Sequence, residues 1–502
     1  MNSRSLGLMT TSLASMLIVG GCTVGPNYKY PEAESVTPET FGEPLPSTTQ
    51  PVTTRPTTNE SAQAPTTQPV DLAQWWTSFN DPLMNQLMDE AMRSSLDLKL
   101  ATARIREARA QRGVVAADYY PQVSANGRYT RSKGSENLGQ FGFSTTPGGG
   151  ASFGEAQDLW QAGFDASWEI DVFGGTRRAV EAANADIDAA VEDRRDVLVT
   201  LLSEVGRNYI ELRSAQRQYK VAQNNLDAQK QTLELTRSRF KAGLISELDV
   251  ARAQAQVATT ASQIPPLEAA IRQSIHRLSV LLGKDPNALS ATLTPPKEIP
   301  AVVPVVPVGL PSELLKRRPD IRRAERQYAA ATAQIGVATS DLFPRFSLNG
   351  SFGQQSTEFG NLFDSNSNFW SIGPAINWSL FQGGRIRSNI EVQNARQQQA
   401  LIQYQTTILS SLEEVENALV NYDREQSRRV ELANAVAANR RAVELAQQLY
   451  ERGLVDFLNV LQAQLALFLT EDQLVQSDAS VSANLVALYK ALGGGWEAAS
   501  PK

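Results

Sequence analysis

The sequence predicts an internally duplicated α+β chain, each half pairing two short amphipathic strands with a very long helical hairpin. Three observations predict it. First, "RFKAGLISELDVARAQAQ" at 239–256 returns as "LYERGLVDFLNVLQAQLA" at 449–466. Phe240, Gly243, Leu244, Leu248, Val250, Ala253 and Gln254 match Tyr450, Gly453, Leu454, Leu458, Val460, Ala463 and Gln464 at a constant shift of 210. Second, "DYYPQVSANGRY" at 118–129 returns as "DLFPRFSLNGSF" at 341–352, a shift of 223. Third, a long proline-free run with helical spacing follows each strand pair, and fixed-period self-similarity takes precedence over a domain count from length.

The matches divide the chain. Trp160, Trp168, Asn184 and Glu204 return at a shift of 210 as Trp370, Trp378, Asn394 and Glu414, so the first copy carries a loop 13 residues longer between its strands. The expected organisation is a signal peptide at 1–21, a modified N-terminus and tether at 22–70, a first repeat at 71–293, a Pro-rich connector at 294–311, a second repeat at 312–492 and a tail at 493–502. Each repeat reads helix, strand, strand, long helical hairpin.

The N-terminus opens with Arg4, an apolar run from Leu6 to Val19 and "VGGC" ending at Cys22, the only cysteine of the chain. That run is too short to span a bilayer and has the length of a signal-peptide core. The small residues before Cys22 resemble the bacterial lipoprotein signal, in which the cysteine is lipidated and becomes the mature N-terminus. More than one acyl chain on it suffices for stable attachment. "EPLPSTTQPVTTRPTTNESAQAPTTQPV" at 43–70 is too poor in apolar residues to join a core and reads as an extended linker.

The strands alternate with period 2. In 164–172, Phe164, Ala166, Trp168, Ile170 and Val172 share one face, and Asp165, Ser167, Glu169 and Asp171 share the other. In 372–380, Ile372, Pro374, Ile376, Trp378 and Leu380 oppose Gly373, Ala375, Asn377 and Ser379. The segments 122–130 and 345–353 alternate likewise. Alternation alone also fits a half-buried sheet in a soluble protein. The tryptophans favour lipid: Trp160 and Trp168 lie about 26 Å apart along a strand, or about 20 Å after a barrel tilt, and Trp370 and Trp378 repeat the spacing. That is close to the apolar band of an outer-membrane barrel with its aromatic girdles. Four strands cannot close such a barrel and open edges are not tolerated in lipid, so several chains must pool their strands.

The helices follow. From about Arg177 to Lys241 an apolar or small residue recurs every three or four positions: Leu198, Leu201, Val205, Leu212, Ala215, Tyr219, Ala222, Leu226, Leu233, Phe240. Such a helix is about 100 Å long. Asn208, Gln229 and Thr236 fall in the same seam and suit packing against several neighbours. The second copy runs from about Arg385 to Arg452. Gly243 and Gly453 suit the left-handed position after a helix end, with Lys241 and Arg452 in the last turns. Ser246 with Asp249 fits a capping box for the return helix, and Asp456 fits an N-cap in the second copy.

Composition narrows the chemistry. Against 53 acidic residues stand 47 basic ones, a net charge of −6 with no basic stripe, so nucleic acid is not an expected partner. One cysteine and one histidine leave almost nothing for a metal site, a thiol–histidine pair or a triad, so neither cofactor nor metal is expected. His276, in "IRQSIHRLSVLLG", reads as a helix-surface residue.

Taken together, "CTVGPNYKYP", "QWWTSFNDPLMNQLMDEAM", "SLDLKLATARIREA", the duplicated Tyr-Pro and Phe-Pro strand openings, "RRPDIRRAE" and both Gly-Leu tips resemble the TolC-like trimeric outer-membrane efflux channels, in particular their lipoprotein, NodT-type branch. The resemblance covers nearly the whole mature chain. It implies a homotrimer whose twelve strands form a barrel in outer-membrane lipid of a Gram-negative bacterium, continuous with a periplasmic α-helical barrel belted by a mixed equatorial domain. It implies docking of the hairpin tips at Gly243, Leu244, Gly453 and Leu454 onto a periplasmic adaptor, and an inner-membrane pump, expected to be proton-driven, that supplies the energy. It implies a channel and not an enzyme. In the family a constriction is formed near the tips. Asp249 and Tyr450 match that pattern, while Asn459 and Gln462 stand where some members have aspartates and Val455 where a gate arginine can occur.

The expected function is the exit duct of a tripartite efflux system for drugs or other small molecules. Protein secretion and metal export are alternatives within the family, since the pump usually chooses the cargo. A lipid-anchored coiled-coil scaffold is the alternative from another class, and it has no use for four amphipathic strands with paired tryptophans. Polar-face Asp165, Glu169 and Asp171 are expected to line water, and Trp160, Trp168, Trp370 and Trp378 to face lipid.

Overall fold

The computed structural model describes residues 23–31, 38, 40–42, 72–133, 135, 156–300 and 311–499. Cys22, the signal peptide at 1–21, the linker at 43–70, most of the long first-copy loop and residues 301–310 of the connector lie outside them. After a 3-10 helix at Leu72–Phe79 come α1 (Pro82–Ser94), α2 (Leu96–Ala116), β1 (Gln122–Lys133), β2 (Ala156–Ile170), α3 (Gly175–Lys241), α4 (Glu247–Ser262), α5 (Ile264–Leu281) and the short α6 (Ser290–Leu293). Then follow α7 (Pro311–Arg317), α8 (Pro319–Ser340), β3 (Arg345–Ser356), β4 (Asn368–Asn377), α9 (Arg385–Glu451), α10 (Phe457–Ala491) and a closing 3-10 turn at Trp496–Ala499. Both long helices, α3 and α9, contain 67 residues. No helix among the described residues is long and apolar enough to cross a membrane.

The chain divides into two compact units. One comprises Met1–Pro31, Arg106–Asp188 and Glu325–Ile402, and its centre is a four-stranded antiparallel sheet in the order β1-β2-β3-β4. Register follows the alternation of the sequence: Phe164 sits opposite Ala125 and Phe352, Trp168 opposite Leu348, and Phe352 opposite Trp370. The apolar side chains of all four strands therefore share one face. That face is bare, with Phe164, Phe352, Ile372 and Ile376 all exposed. Two strand ends differ from expectation. β2 stops at Ile170 and β4 at Asn377, because the chain there turns into the long helices. Asp171 consequently leaves the polar face. Its carboxylate accepts from the Arg177 backbone N–H (2.9 Å) and the Arg177 Nε (3.2 Å), satisfying a free donor at the start of α3.

The other unit comprises Glu32–Ile105, Ala189–Ala324 and Gln403–Lys502. Its main core gathers Trp75, Trp76, Met84 and Met88 from the first short helices, Leu198, Leu202, Val205 and Tyr209 from α3, Leu278 from α5, and Leu485 and Tyr489 from α10. Trp75 stacks on Tyr489 with centroids 5.4 Å apart. The "RRPDIRRAE" segment supplies the electrostatic clasp of this unit. Buried Arg318 donates to Asp320 Oδ1 (3.0 Å), Glu414 Oε2 (2.8 Å) and the Ala491 carbonyl (2.8 Å), tying α8 to α9 and to the end of α10. Burial alone would push the Asp320 carboxyl up, but the hydrogen bond and charge of Arg318 outweigh it and hold the group below the usual carboxylate range.

The seam of α3 is buried at Leu198, Leu201, Val205, Leu212, Ala215, Ala222, Leu226 and Leu233, and also at the polar Asn208, Gln229 and Thr236. Two of them are accommodated by local bonds: Asn208 Nδ2 donates to the Glu204 carbonyl (2.7 Å) and Thr236 Oγ1 to the Thr232 carbonyl (2.7 Å), while Thr232 Oγ1 accepts from Gln464 Nε2 of α10 (2.9 Å). The Gln229 amide is buried with no hydrogen-bond partner among the described residues. Phe240 departs from the seam and stands exposed beside the turn. The two return segments also differ. α10 is continuous for 35 residues, whereas its counterpart breaks at Gln263 into α4 and α5. Pro265 and Pro266 lack backbone N–H donors and cannot continue the α4 ladder.

Candidate functional site

The two tips share one backbone solution. Gly243 has φ 71° and Gly453 φ 72°. Gly243 N–H donates to the Phe240 carbonyl (2.9 Å) and Leu244 N–H to the Arg239 carbonyl (3.0 Å). Gly453 and Leu454 donate in the same way to Tyr450 and Leu449, both at 2.9 Å. These paired bonds are a Schellman motif, which satisfies the last carbonyls of α3 and α9 only if the glycine takes a left-handed conformation. Leu244 and Leu454, the next residues, are both 66% exposed.

The caps at the start of the return helices differ from expectation. Ser246 and Asp456 hold the N-cap positions, but neither side chain accepts a backbone N–H. Instead the Ser246 hydroxyl donates to Asp249 Oδ2 (3.1 Å), and the Asp249 carboxylate also lies 3.9 Å from Arg252. An acid in the first helical turn is favoured by the helix dipole without a reciprocal box. Asp249 is half-buried, while Asn459 and Gln462, one turn apart on α10, are exposed.

Tyr450 is placed differently from these three. Only 2% exposed, it belongs to one buried cluster with Leu233 of α3, Ala253 of α4, and Phe457 and Val460 of α10, to which every helix that enters the two tips contributes. Val455, which stands where the family can carry a gate arginine, lies at the edge of the same cluster. Phe240, the counterpart of Tyr450 at the shift of 210, is exposed instead.

Sequence reasoning missed the residue that ties the tips together. The Arg239 guanidinium lies 4.5 Å from the centroid of the Tyr450 ring and donates through Nη1 to the Tyr450 carbonyl. It thereby crosses from the end of α3 to the end of α9, where a cation is favoured by the dipole. The signal available was a break in the repeat, since position 239 is matched by Leu449.

The sheet supplies the second functional surface. Its polar face carries a cross-strand ladder in which Asp165 accepts from Asn126, Ser167 Oγ donates to Asn349 Oδ1 (2.9 Å), and Ser351 and Ser371 hydroxyls meet at 2.7 Å. On the opposite face Trp160 packs against Tyr129 (4.2 Å) and against Phe359 of the β3–β4 loop (5.0 Å), and Trp370 is 73% exposed. Trp168 and Trp378 are anchored in equivalent ways: Trp168 Nε1 donates to the Tyr119 carbonyl (2.9 Å), and Trp378 Nε1 to the Leu342 carbonyl (3.0 Å). Both acceptors immediately precede the strand openings. Each indole thus satisfies its one polar group and leaves its ring to the apolar face. Cys22 lies outside the described residues, and His276 is a partly exposed residue of α5. Among the described residues no group of three or more His, Cys, Asp or Glu is placed to hold a metal ion.

The family model described as outer membrane efflux protein matches residues 87–284 and 310–494. Nodulation protein T of Rhizobium leguminosarum bv. trifolii is 31% identical over 499 residues, 97% of each chain. The pyoverdine export outer membrane protein OpmQ of Pseudomonas aeruginosa is 33% identical over 427 residues, 85% of this chain and 88% of that one. Among solved structures, the outer-membrane channel OprN superposes with a TM-score of 0.81 at 36% identity, covering 95% of this chain and all of that one. The bare apolar sheet face, the paired helical hairpins and these matches lead to one conclusion: the chain belongs to the outer membrane efflux protein family and is an outer-membrane exit channel.

Proposed function

We propose that three copies of this chain close one channel, each contributing β1–β4 to a twelve-stranded barrel and both hairpins to a periplasmic helical conduit. The observation that carries this reading is the sheet itself: an apolar face left bare, with β1 and β4 at open edges. In lipid an unpaired strand edge costs several kcal/mol per unsatisfied group, and a four-stranded sheet removes that cost only by pairing with further copies. The conduit receives cargo from an inner-membrane pump, expected to be proton-driven, through a periplasmic adaptor that seats on the tips at Gly243, Leu244, Gly453 and Leu454. Small molecules are the cargo class favoured here, in keeping with the pyoverdine export named for OpmQ. Cys22 carries the lipid anchor.

The gate belongs near the tips. Asp249, Asn459 and Gln462 supply polar groups to the constriction. Tyr450 acts from inside the protomer, as the wedge that sets the spacing of the two hairpins. Arg239 holds that wedge.

Mass measurement of the complex extracted from outer membranes tests the architecture. The expected species is a trimer, with cysteines at Asp165 and Glu169 open to water-soluble thiol reagents and cysteines at Phe164 and Ile376 closed to them. A stable monomer retaining its full strand content would falsify the shared barrel.

A further inference from the structure

The residues just after Cys22 are not the start of a free tether. Val24 N–H donates to the Phe173 carbonyl (3.1 Å), next to the foot of β2. Arg178, in the first turn of α3, is only 3% exposed. Besides Glu181, it donates to the Val24 carbonyl (3.1 Å), the Gly25 carbonyl (3.3 Å) and Asn27 Oδ1 (2.7 Å). A buried guanidinium deprived of its acceptors is strongly unfavourable, so the notch and the segment that fills it are made for each other.

The fit is too close for side chains. Gly25 has φ +88°, and a Cβ there would stand 2.4 Å from the Cα of Gly336 in α8; a Cβ on Gly336 would stand 2.7 Å from Arg178 Cγ. Beyond the glycine contact, Tyr28 settles on Ala185, Ala329 and Ala330, meets Tyr328 edge-on at 6.0 Å and donates its hydroxyl to Glu325. The segment therefore touches α3 of the first repeat and α8 of the second, all within one compact unit.

We propose that Arg178 and Gly336 form a receptor for the strap Thr23–Tyr28, which pins the lipid anchor against the foot of the sheet. The proposal rests on Cys22 being the lipidated residue. Because Thr23 follows the lipidated residue directly, a docked strap tethers the acyl chains to the foot of the sheet through a single peptide link. The anchor is then part of the channel's own lipid contact, and Thr23–Tyr28 are docked on the protein and not part of a free tether.

Trypsin reads the docking directly, because Lys29 is exposed and follows Tyr28. With full-length protein in proteoliposomes, cleavage after Lys29 is expected to be slow in the wild type and at least about tenfold faster in Gly25→Val and in Arg178→Ala, since cutting tracks the undocked population. Gly25→Val alters only the strap and leaves the receptor intact, so it guards against a folding defect in the second variant. Nitroxide labels at Lys29→Cys and Asp118→Cys should give a narrow distance distribution that broadens in Gly25→Val. Equal cleavage rates and equally broad distances in wild type and Gly25→Val overturn the strap. Fatty-acid labelling of the same preparations separates the two ideas: protection of Lys29 with no label on the wild type overturns the lipidated anchor and, with it, the pinning role.

Discussion

At the scale of the residue, Tyr450 shows how position and role can part company. The family resemblance brought it to attention as a gate residue, and the structure seats its ring inside a four-helix cluster under the Arg239 guanidinium. Its hydroxyl is buried and has no hydrogen-bond partner among the described residues. A buried hydroxyl without a partner costs about 1–3 kcal/mol in lost hydration, whereas the ring supplies apolar contact. Tyr450→Phe should therefore leave the tips as stable as before or slightly more so. Tyr450→Ala should cost about 3–5 kcal/mol through the cavity it leaves, felt locally. Hydrogen exchange of amides in 446–462 distinguishes the two, and a Phe variant as damaged as the Ala variant would mean that the hydroxyl is the working group.

At the scale of the element, the turn geometry was legible and the side-chain caps were not. Gly243 and Gly453 were readable because a left-handed C′ residue has few alternatives to glycine. Ser246 and Asp456 were misread as side-chain caps because spacing cannot tell whether a hydroxyl turns to the backbone or to a neighbouring carboxylate; here Ser246 turned to Asp249. The strands were legible from alternation, but their ends at Ile170 and Asn377 were set by the turn into the helices, which alternation does not register. Arg178 and Arg239 were missed for a different reason: each meets residues about 150 or more positions away, through carbonyls that carry no sequence signature, and only the break in the repeat at 239 marked either of them. The two glycines also predict nearly equal costs. Alanine at φ near +70° costs about 1–2 kcal/mol at either tip. At Gly453 the new methyl also meets Arg239 Nη2 at 3.5 Å, an ordinary contact, while at Gly243 it meets nothing within 4 Å. Gly453→Ala and Gly243→Ala should thus loosen the tips by similar amounts without lowering the global melting transition. A tip-exchange change confined to one of the two would show that the Arg239 contact, and not backbone strain, controls that turn.

At the scale of the whole molecule, the constriction depends on which charges three-fold repetition multiplies. One protomer places a half-buried Asp249, shared with Ser246 and Arg252, near the first tip, and exposed, neutral Asn459 and Gln462 after the second. In the proposed trimer, a ring of three Asp249 carboxylates would attract cations, but each is already partly compensated by its arginine. Unit charges 4 Å apart interact by about 1 kcal/mol in water and about 4 kcal/mol near a protein surface, so an added ring of bare carboxylates weighs heavily in a narrow lumen. Wild-type channels in planar bilayers are therefore expected to show weak block by divalent cations. The double variant Asn459→Asp with Gln462→Glu should become block-sensitive at far lower divalent concentration, and Asp249→Asn should reduce cation preference with little change in block. The sign follows from charge alone: added carboxylates deepen the cation well, and removal of the compensated one makes it shallower. High salt should weaken both effects, because the Debye length falls from about 10 Å at 0.1 M to about 3 Å at 1 M. Divalent block that is strong in the wild type and indifferent to residues 459 and 462 would move the constriction away from α10, leaving the exposed Leu244 and Leu454 as the surfaces that close it.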